Sequence, residues 1–163
     1  MIAKIKIILI FLFELIILTE RTMNTSEKIK ITIDALIKAP VAKIWSMWNS
    51  PEHITKWNAA SDDWHTPRSE NDFRIGGKCL SRMEAKDGSV GFDFEWTYTN
   101  IVEHKLIESV LADGRTVKVT LEETPEGVKI VQTFEAESQN PIEMQQYGWQ
   151  AILNSFKQYV ETH

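Results

Sequence analysis

The densest group of potentially reactive side chains lies in one short stretch, Ser61–Pro67, which reads SDDWHTP. Two carboxylates, Asp62 and Asp63, stand beside Trp64 and His65. A metal site needs three or four ligands converging on one point, and consecutive residues rarely converge. The other histidines, His53, His104 and His163, are scattered, and none forms the two-histidine, one-glutamate helical pattern of a zinc enzyme. No metal and no cofactor is therefore expected. The stretch could instead do acid–base work, because an imidazole next to a carboxylate can be tuned near neutral pH. His65 and Asp63 are the pair that would carry such catalysis, although no nucleophile is placed beside them. The plainer expectation is that Asp62 or Asp63 forms an Asx turn and that Trp64 closes the mouth of an apolar space. Gly76 and Gly77 lack the following lysine, hydroxyl residue and helix of a phosphate loop. Cys79, the one cysteine, has no activating neighbour in the sequence and is expected to be a buried, inert thiol.

The elements that must position these residues can be read from periodicity. Ile29, Ile31 and Ile33 alternate with polar residues, which predicts a half-buried first strand ending near Lys38. Pro40 suits the first turn of a short helix whose apolar face is Val41, Ile44, Trp45 and Trp48. Ser50, Pro51 and Glu52 are start signals for a second short helix that buries Ile54 and Trp57. Residues 58–72 show no period and are expected to be the longest loop, with SDDWHTP inside it. From Phe73 to Glu137, alternating runs are separated by the turn signals KDGS, ADGR and TPEG. That pattern predicts an antiparallel meander with one solvated face. Gly76 and Gly77 suggest a bulge or sharp bend. Asn140 as cap and Pro141 at the first position open a long final helix, striped with Trp149, Ile152, Leu153, Phe156 and Val160. Gly148 inside that helix either admits a close backbone approach or leaves space beside Trp149.

The predicted class is α+β. A curved antiparallel sheet of about six to seven strands wraps one long C-terminal helix, with two short helices after the first strand. A cylinder cannot fill a concave sheet unless the side chains between them are large, so an elongated space is expected there. Phe92, Phe94, Trp96 and Tyr98 share one strand face with Met83, opposite Trp149, Ile152 and Phe156. These residues form either a plain core or the wall of an apolar cavity. A one-residue slip in register would turn Arg82 or Arg74 inward instead.

Composition narrows the partners. The chain of 163 residues is 43% hydrophobic and carries a net charge of −5, which argues against a nucleic-acid partner. Residues 1–22 differ from the remainder. Ile7–Leu18 is apolar apart from Glu14 and follows Lys4 and Lys6, yet no small-residue cleavage site follows it. The run falls short of the ~20 residues that cross a bilayer, so no stable membrane span is expected. Our reading divides the chain into this extension, residues 1–22, and one domain, residues 23–163, with Met23 as the natural start and a cytoplasmic location. A signal peptide or weak anchor is the competing reading of the extension.

Four blocks carry a family resemblance: APVAKIWSMWNSPEHITKW, DFRIGGKCLSRMEAKDGSVGFDFEWTYTNI, DGRTVKVTLEE and YGWQAILNSFKQYVE. Together, from about Ile29 to Glu161, the chain resembles the bacterial branch of the activator of heat-shock-protein-90 ATPase homologue family, within the START-like (SRPBCC, Bet v 1-like) superfamily. The resemblance implies a helix-grip fold with an apolar cavity beneath the last helix, and a hydrophobic, aromatic or polyketide-like small molecule as ligand. Residues expected to contact it are Phe92, Phe94, Trp96, Tyr98, Met83, Trp149, Ile152 and Phe156, joined by Trp57, Trp64 and Phe73. A binding protein is favoured over an enzyme. The alternatives are a polyketide cyclase-like enzyme or hydrolase using His65 and Asp63, and a chaperone-interacting domain. N-terminal sequencing of the natively expressed protein is expected to begin at Met23; a start at Met1, or a cleaved product, overturns that reading.

Overall fold

The computed structural model describes residues 28–163, so the reading of residues 1–22 and of Met23 lies outside the described residues. Seven strands form one antiparallel sheet in the order β1-β7-β6-β5-β4-β3-β2. They are β1 (Lys30–Ile37), β2 (Trp64–Asn71), β3 (Lys78–Ala85), β4 (Gly91–Val102), β5 (Leu106–Leu111), β6 (Thr116–Thr124) and β7 (Gly127–Glu135). Three helices complete the fold: α1 (Val41–Asn49), α2 (Pro51–Trp57) and α3 (Ile142–Thr162). The first strand and the second are the two edges. The α1–α2 pair carries the chain from one edge to the other, and five hairpins bring it back until β7 pairs with β1. This is the helix-grip architecture that the sequence pattern implies, with the sheet curled around α3.

Alternation decides which face is dry. On β1, Ile31, Ile33, Ala35 and Ile37 are buried while their neighbours are not. The same phase continues through Val128, Ile130, Gln132 and Phe134 on β7, then Val117, Val119 and Leu121 on β6. Register ties these rows together: Ile33 pairs with Gln132, Gln132 with Val119, and Val119 with Ile107. Because the side-chain period is two, a slip of one residue would expose the whole set.

Residues 64–71 correct the sequence reading. They form an edge strand, and only 58–63 remain a connector. Their polarity hid the strand. Pro67 sits where the register between β2 and β3 shifts, a position that tolerates a missing N–H. On the inner face, Ser69 and Asn71 replace the usual aliphatics, and their side chains are hydrogen-bonded to Ser81 and to Tyr98.

The start of α3 also differs by one residue. Pro141 is the N-cap and makes no side-chain bond, so Asn140 is not the cap. Gln145 does that work from inside the helix. Its amide Nε2 donates to the carbonyls of Glu137 and Asn140, and its Oε1 accepts from the Glu137 N–H. The Glu137 carboxylate in turn accepts from the backbone N–H groups of Gln139 and Asn140. The β7–α3 connector is thereby pinned without the usual cap.

Gly127 closes the β6–β7 hairpin at φ 143°, and a Cβ there would lie 2.4 Å from the Ile37 carbonyl oxygen. No rotamer relieves a clash with backbone. Gly127→Ala is expected to cost about 2 kcal/mol through this strain, read as a lowered urea midpoint; an unchanged midpoint would show that the hairpin tip does not seat against β1 as described.

Candidate functional site

Two groups of aromatic contacts position α3, one against the sheet and one against the α1–α2 pair. Trp149 stacks on Phe134 of β7, with ring centroids 4.0 Å apart and planes 14° from parallel. Seven residues on, Phe156 is held edge-on between Trp48 and Trp57, each 4.8 Å away. The two side chains are roughly 10 Å apart along the axis. Beyond the Phe134 contact, the floor is made of short aliphatic side chains, Val117 and Val119 of β6 with Ile107 and Leu111 of β5. These cannot reach the helix. The result is a cavity of about 550 Å³ between α3 and β3–β7, within the usual size range of small-molecule sites.

Most of the residues expected from the sequence meet here. Phe92, Phe94, Trp96 and Tyr98 line one wall with Met83, and Trp57, Trp64, Trp149 and Ile152 line others. Phe94 touches both Trp96 and Trp149 edge to face, at 5.7 and 5.9 Å. Phe73 and Phe156 are placed elsewhere. Phe73 packs behind Tyr98 and against Trp45, and Phe156 is enclosed by the α1–α2 tryptophans. Their spacing was compatible with the cavity; only the position of α1 and α2 removes them from it.

His65 and Asp63 do not face the cavity. His65 lies on the outer face of β2, where its Nε2 is 3.4 Å from the Glu84 carboxylate. Asp63 closes the Ser61–Trp64 turn by accepting from the Ser61 hydroxyl at 2.6 Å. Trp64, between them, is the first residue of β2 and points inward, 6.0 Å from Phe92. Arg82 is also outside, bonded to Glu84 and Asp93, and Arg74 pairs with Asp72. The register therefore excludes the inward-facing arginines. Among the described residues, no charged side chain lines the cavity. Among the described residues, no group of three or more His, Cys, Asp or Glu side chains is arranged to hold a metal.

Three polar lining residues were not singled out from the sequence: Asn58, Ser109 and Gln132. Their signal was visible as polar residues in an apolar phase. Ser109 falls in step with Ile107 and Leu111, and Gln132 with Val128, Ile130 and Phe134.

Beside the cavity, polar groups are tied to one another. The Tyr98 hydroxyl donates to Asn71 Oδ1 at 3.0 Å, and Asn71 Nδ2 donates to the Asn49 carbonyl at 2.6 Å. Burial pushes the Cys79 thiol up from its ordinary 9.0 to about 11, against the hydrogen bonds of Ser69, Tyr98 and Ser81. Burial raises the Tyr98 phenol too, helped by the neighbouring Cys79.

Comparison with known proteins follows the same outline. The profile of the family described as Activator of Hsp90 ATPase homolog 1-like protein matches residues 38–161. The AHSA1-like protein from Aeromonas hydrophila is 44% identical, with a TM-score of 0.78 over 82% of this chain and 93% of that one. The Chr148 protein from Cytophaga hutchinsonii is also 44% identical, with a TM-score of 0.69 over 83% and 92%. A protein from Rhizobium leguminosarum, at 24% identity and a TM-score of 0.68 over 84% and 97%, shares the fold. No curated protein matches.

A neutral folded thiol has a sign that can be checked. Unfolded Cys79 ionises from about pH 9, whereas the folded thiol stays neutral to about 11. Its contribution to stability is therefore complete below pH 9 and lost as the pH rises towards 11. At pH 8 an aromatic disulfide reagent is expected to label no thiol in the native protein and one in urea, and the urea midpoint is expected to fall between pH 9 and 11. Rapid native labelling would show that Cys79 is accessible.

Proposed function

The chain belongs to the Activator of Hsp90 ATPase homolog 1-like family, and from that premise we propose that it binds a hydrophobic, aromatic or polyketide-like small molecule in the cavity between the sheet and α3. The observation that carries the reading is the lining itself. Phe92, Phe94, Trp96 and Trp149 present ring faces and edges to an unfilled space, where a plain core would close. Apolar walls with a few placed polar groups are the usual composition of a small-molecule site.

The mouth supports the same reading. Phe92 and Met144 line the cavity yet are 46% and 60% exposed, so apolar surface continues from the interior to the rim. Trp64 lies next to Phe92 and narrows the opening.

Binding without turnover is favoured over catalysis. The acid–base pair anticipated from the sequence, His65 and Asp63, would have to act on a ligand from outside the space that holds it. Taking Met23 as the start, the protein would work in the cytoplasm; among the described residues no helix is long and apolar enough to cross a membrane. Contact with a chaperone is suggested by the family's name alone.

Gly148 allows a direct test. It shares a helix face with Met144 and Ile152, all three lining the cavity, and a Cβ there meets nothing within 4 Å. Gly148→Phe is expected to fold, with a thermal midpoint at or above wild type because a mid-helix glycine costs about 1 kcal/mol. A neutral aromatic compound at a hundred times its Kd is expected to stabilise the wild type by about 2.7 kcal/mol and to leave Gly148→Phe unmoved. If no compound in such a screen shifts the resonances of Phe94, Trp96 or Trp149, the ligand-binding reading fails.

A further inference from the structure

Two side chains on the cavity floor have no structural work to do. Gln132 sits in the middle of β7, between Ile130 and Phe134 along the strand and between Ile33 and Val119 across it. Every one of those neighbours is apolar and buried. Gln132 is 9% exposed and lines the cavity, and among the described residues its amide has no hydrogen-bond partner. Ser109 repeats the arrangement on β5. It is 7% exposed, paired across the sheet with Tyr98 and Val117, and its hydroxyl is likewise unpartnered among the described residues. Among the described residues the one fully enclosed side-chain atom without a partner is Asn49 Oδ1, so the polar ends of Gln132 and Ser109 open onto the cavity. Among apolar walls each is still less favourable than an aliphatic side chain of similar size. Leucine at 132 would simply continue the β7 stripe.

Several other polar groups around the cavity are already committed, while the indole N–H groups of Trp48, Trp64, Trp96 and Trp149 could only donate. The Tyr98 hydroxyl donates to Asn71, the Trp57 indole N–H donates to the Met47 carbonyl, and the Ser61 hydroxyl donates to Asp63. The Asn58 amide, at the end of α2, is a further group that can both donate and accept and is left open to the cavity. Gln132 and Ser109 lie two strands and one diagonal step apart, roughly 12 Å between their backbones. An amide both donates and accepts, as does a hydroxyl. With no charged residue in the lining, nothing there would neutralise a buried carboxylate or phosphate.

We propose that Gln132 and Ser109 are ligand-anchoring residues, and that the ligand is an uncharged, flat aromatic molecule carrying hydroxyl or carbonyl oxygens at separated positions. This rests on the ligand-binding reading above and narrows it: free fatty acids and phosphorylated lipids are excluded from the interior. The aromatic walls hold the body of the molecule, and the two floor residues select its oxygenation pattern. Selection of this kind is stringent, since a ligand lacking the oxygens leaves the site's own buried groups unpaired.

The test uses three probes of one shape: biphenyl, 4,4′-dihydroxybiphenyl and biphenyl-4,4′-dicarboxylate. Binding is followed by tryptophan fluorescence and by the indole resonances of Trp96 and Trp149. Wild type is expected to bind the diol about tenfold more tightly than biphenyl, the worth of one or two net hydrogen bonds, and the dicarboxylate more weakly than the diol. Gln132→Leu is expected to reduce the diol's advantage to about threefold or less while biphenyl binds as well as before or better. It should also raise the thermal midpoint, which a merely structural glutamine would not. Ser109→Ala, the milder variant, should lower diol affinity in the same direction and serves if Gln132→Leu does not fold. Equal wild-type affinity for biphenyl and the diol, a diol preference untouched by both variants, or preference for the dicarboxylate overturns the assignment while leaving ligand binding intact. Failure of all three probes to move either tryptophan overturns the ligand-binding reading, and this inference with it.

Discussion

The stand-off between α3 and the sheet is the constraint from which the rest of the molecule follows. Trp149 on Phe134 and Phe156 between Trp48 and Trp57 act as two props, two helical turns apart. Each aromatic pair contributes about 0.5–1.5 kcal/mol beyond the area it buries, but its structural effect is larger than its energy. The Trp149–Phe134 stack spaces the helix from β7 by the thickness of two rings, and the tryptophans around Phe156 fix it against α1 and α2. Valines and isoleucines on the strands between the props are too short to close the gap, so an interior that would otherwise pack to crystal-like density keeps a cavity. The C-terminal half of α3 buries Leu153, Phe156 and Val160 almost completely, and this anchors the helix while Met144, Gly148 and Trp149 of its N-terminal half border the cavity.

Polar ties make that arrangement rigid. The Thr66 hydroxyl donates to the Asn58 carbonyl and Asn71 reaches the Asn49 carbonyl, so both ends of the edge strand β2 are fastened to the helix pair beside it. Tyr98 joins the same chain of bonds from the cavity side. On the other edge, Glu135 accepts from Lys28 and from the Thr116 N–H, which fixes the start of β1 against the β5–β6 turn. One buried atom, Asn49 Oδ1, is without a partner among the described residues. His65 and the charged side chains of Arg82, Glu84 and Asp93 occupy the outer face, and among the described residues no charged side chain lines the cavity.

Legibility in the sequence varied with the physics of each element. Strands with one wet face declare themselves, because solvent and core demand opposite residue types at alternate positions; β1, β4, β6 and β7 were readable for that reason. The edge strand β2 was not, because its inner face is satisfied by hydrogen bonds with Ser81 and Tyr98 instead of by burial. The same failure placed all of SDDWHTP in a loop, where an Asx turn with Trp64 as a plug and an acid–base pair were both compatible with the residues. Once β2 is in register, parity alone sends Trp64 inward and His65 outward, and the acid–base pair dissolves.

By itself the sequence determined what every element but β2 is and which face of it avoids water: hairpin turns at the glycines, a long amphipathic final helix, an aromatic row on β4, a curved sheet that must hold one helix. These are local properties, set by backbone sterics and by periods of two and 3.6 residues. Tertiary structure alone decided which apolar side chains fill space and which border it. Phe156 and Trp149 lie on the same helical stripe, yet one is enclosed by α1 and α2 and the other props a cavity open. Gln132 and Ser109 are likewise visible as polar residues out of place, but only the distance from the floor to α3 shows that nothing in the fold comes to meet them. That distance depends on contacts between segments a hundred residues apart, and no local pattern encodes it.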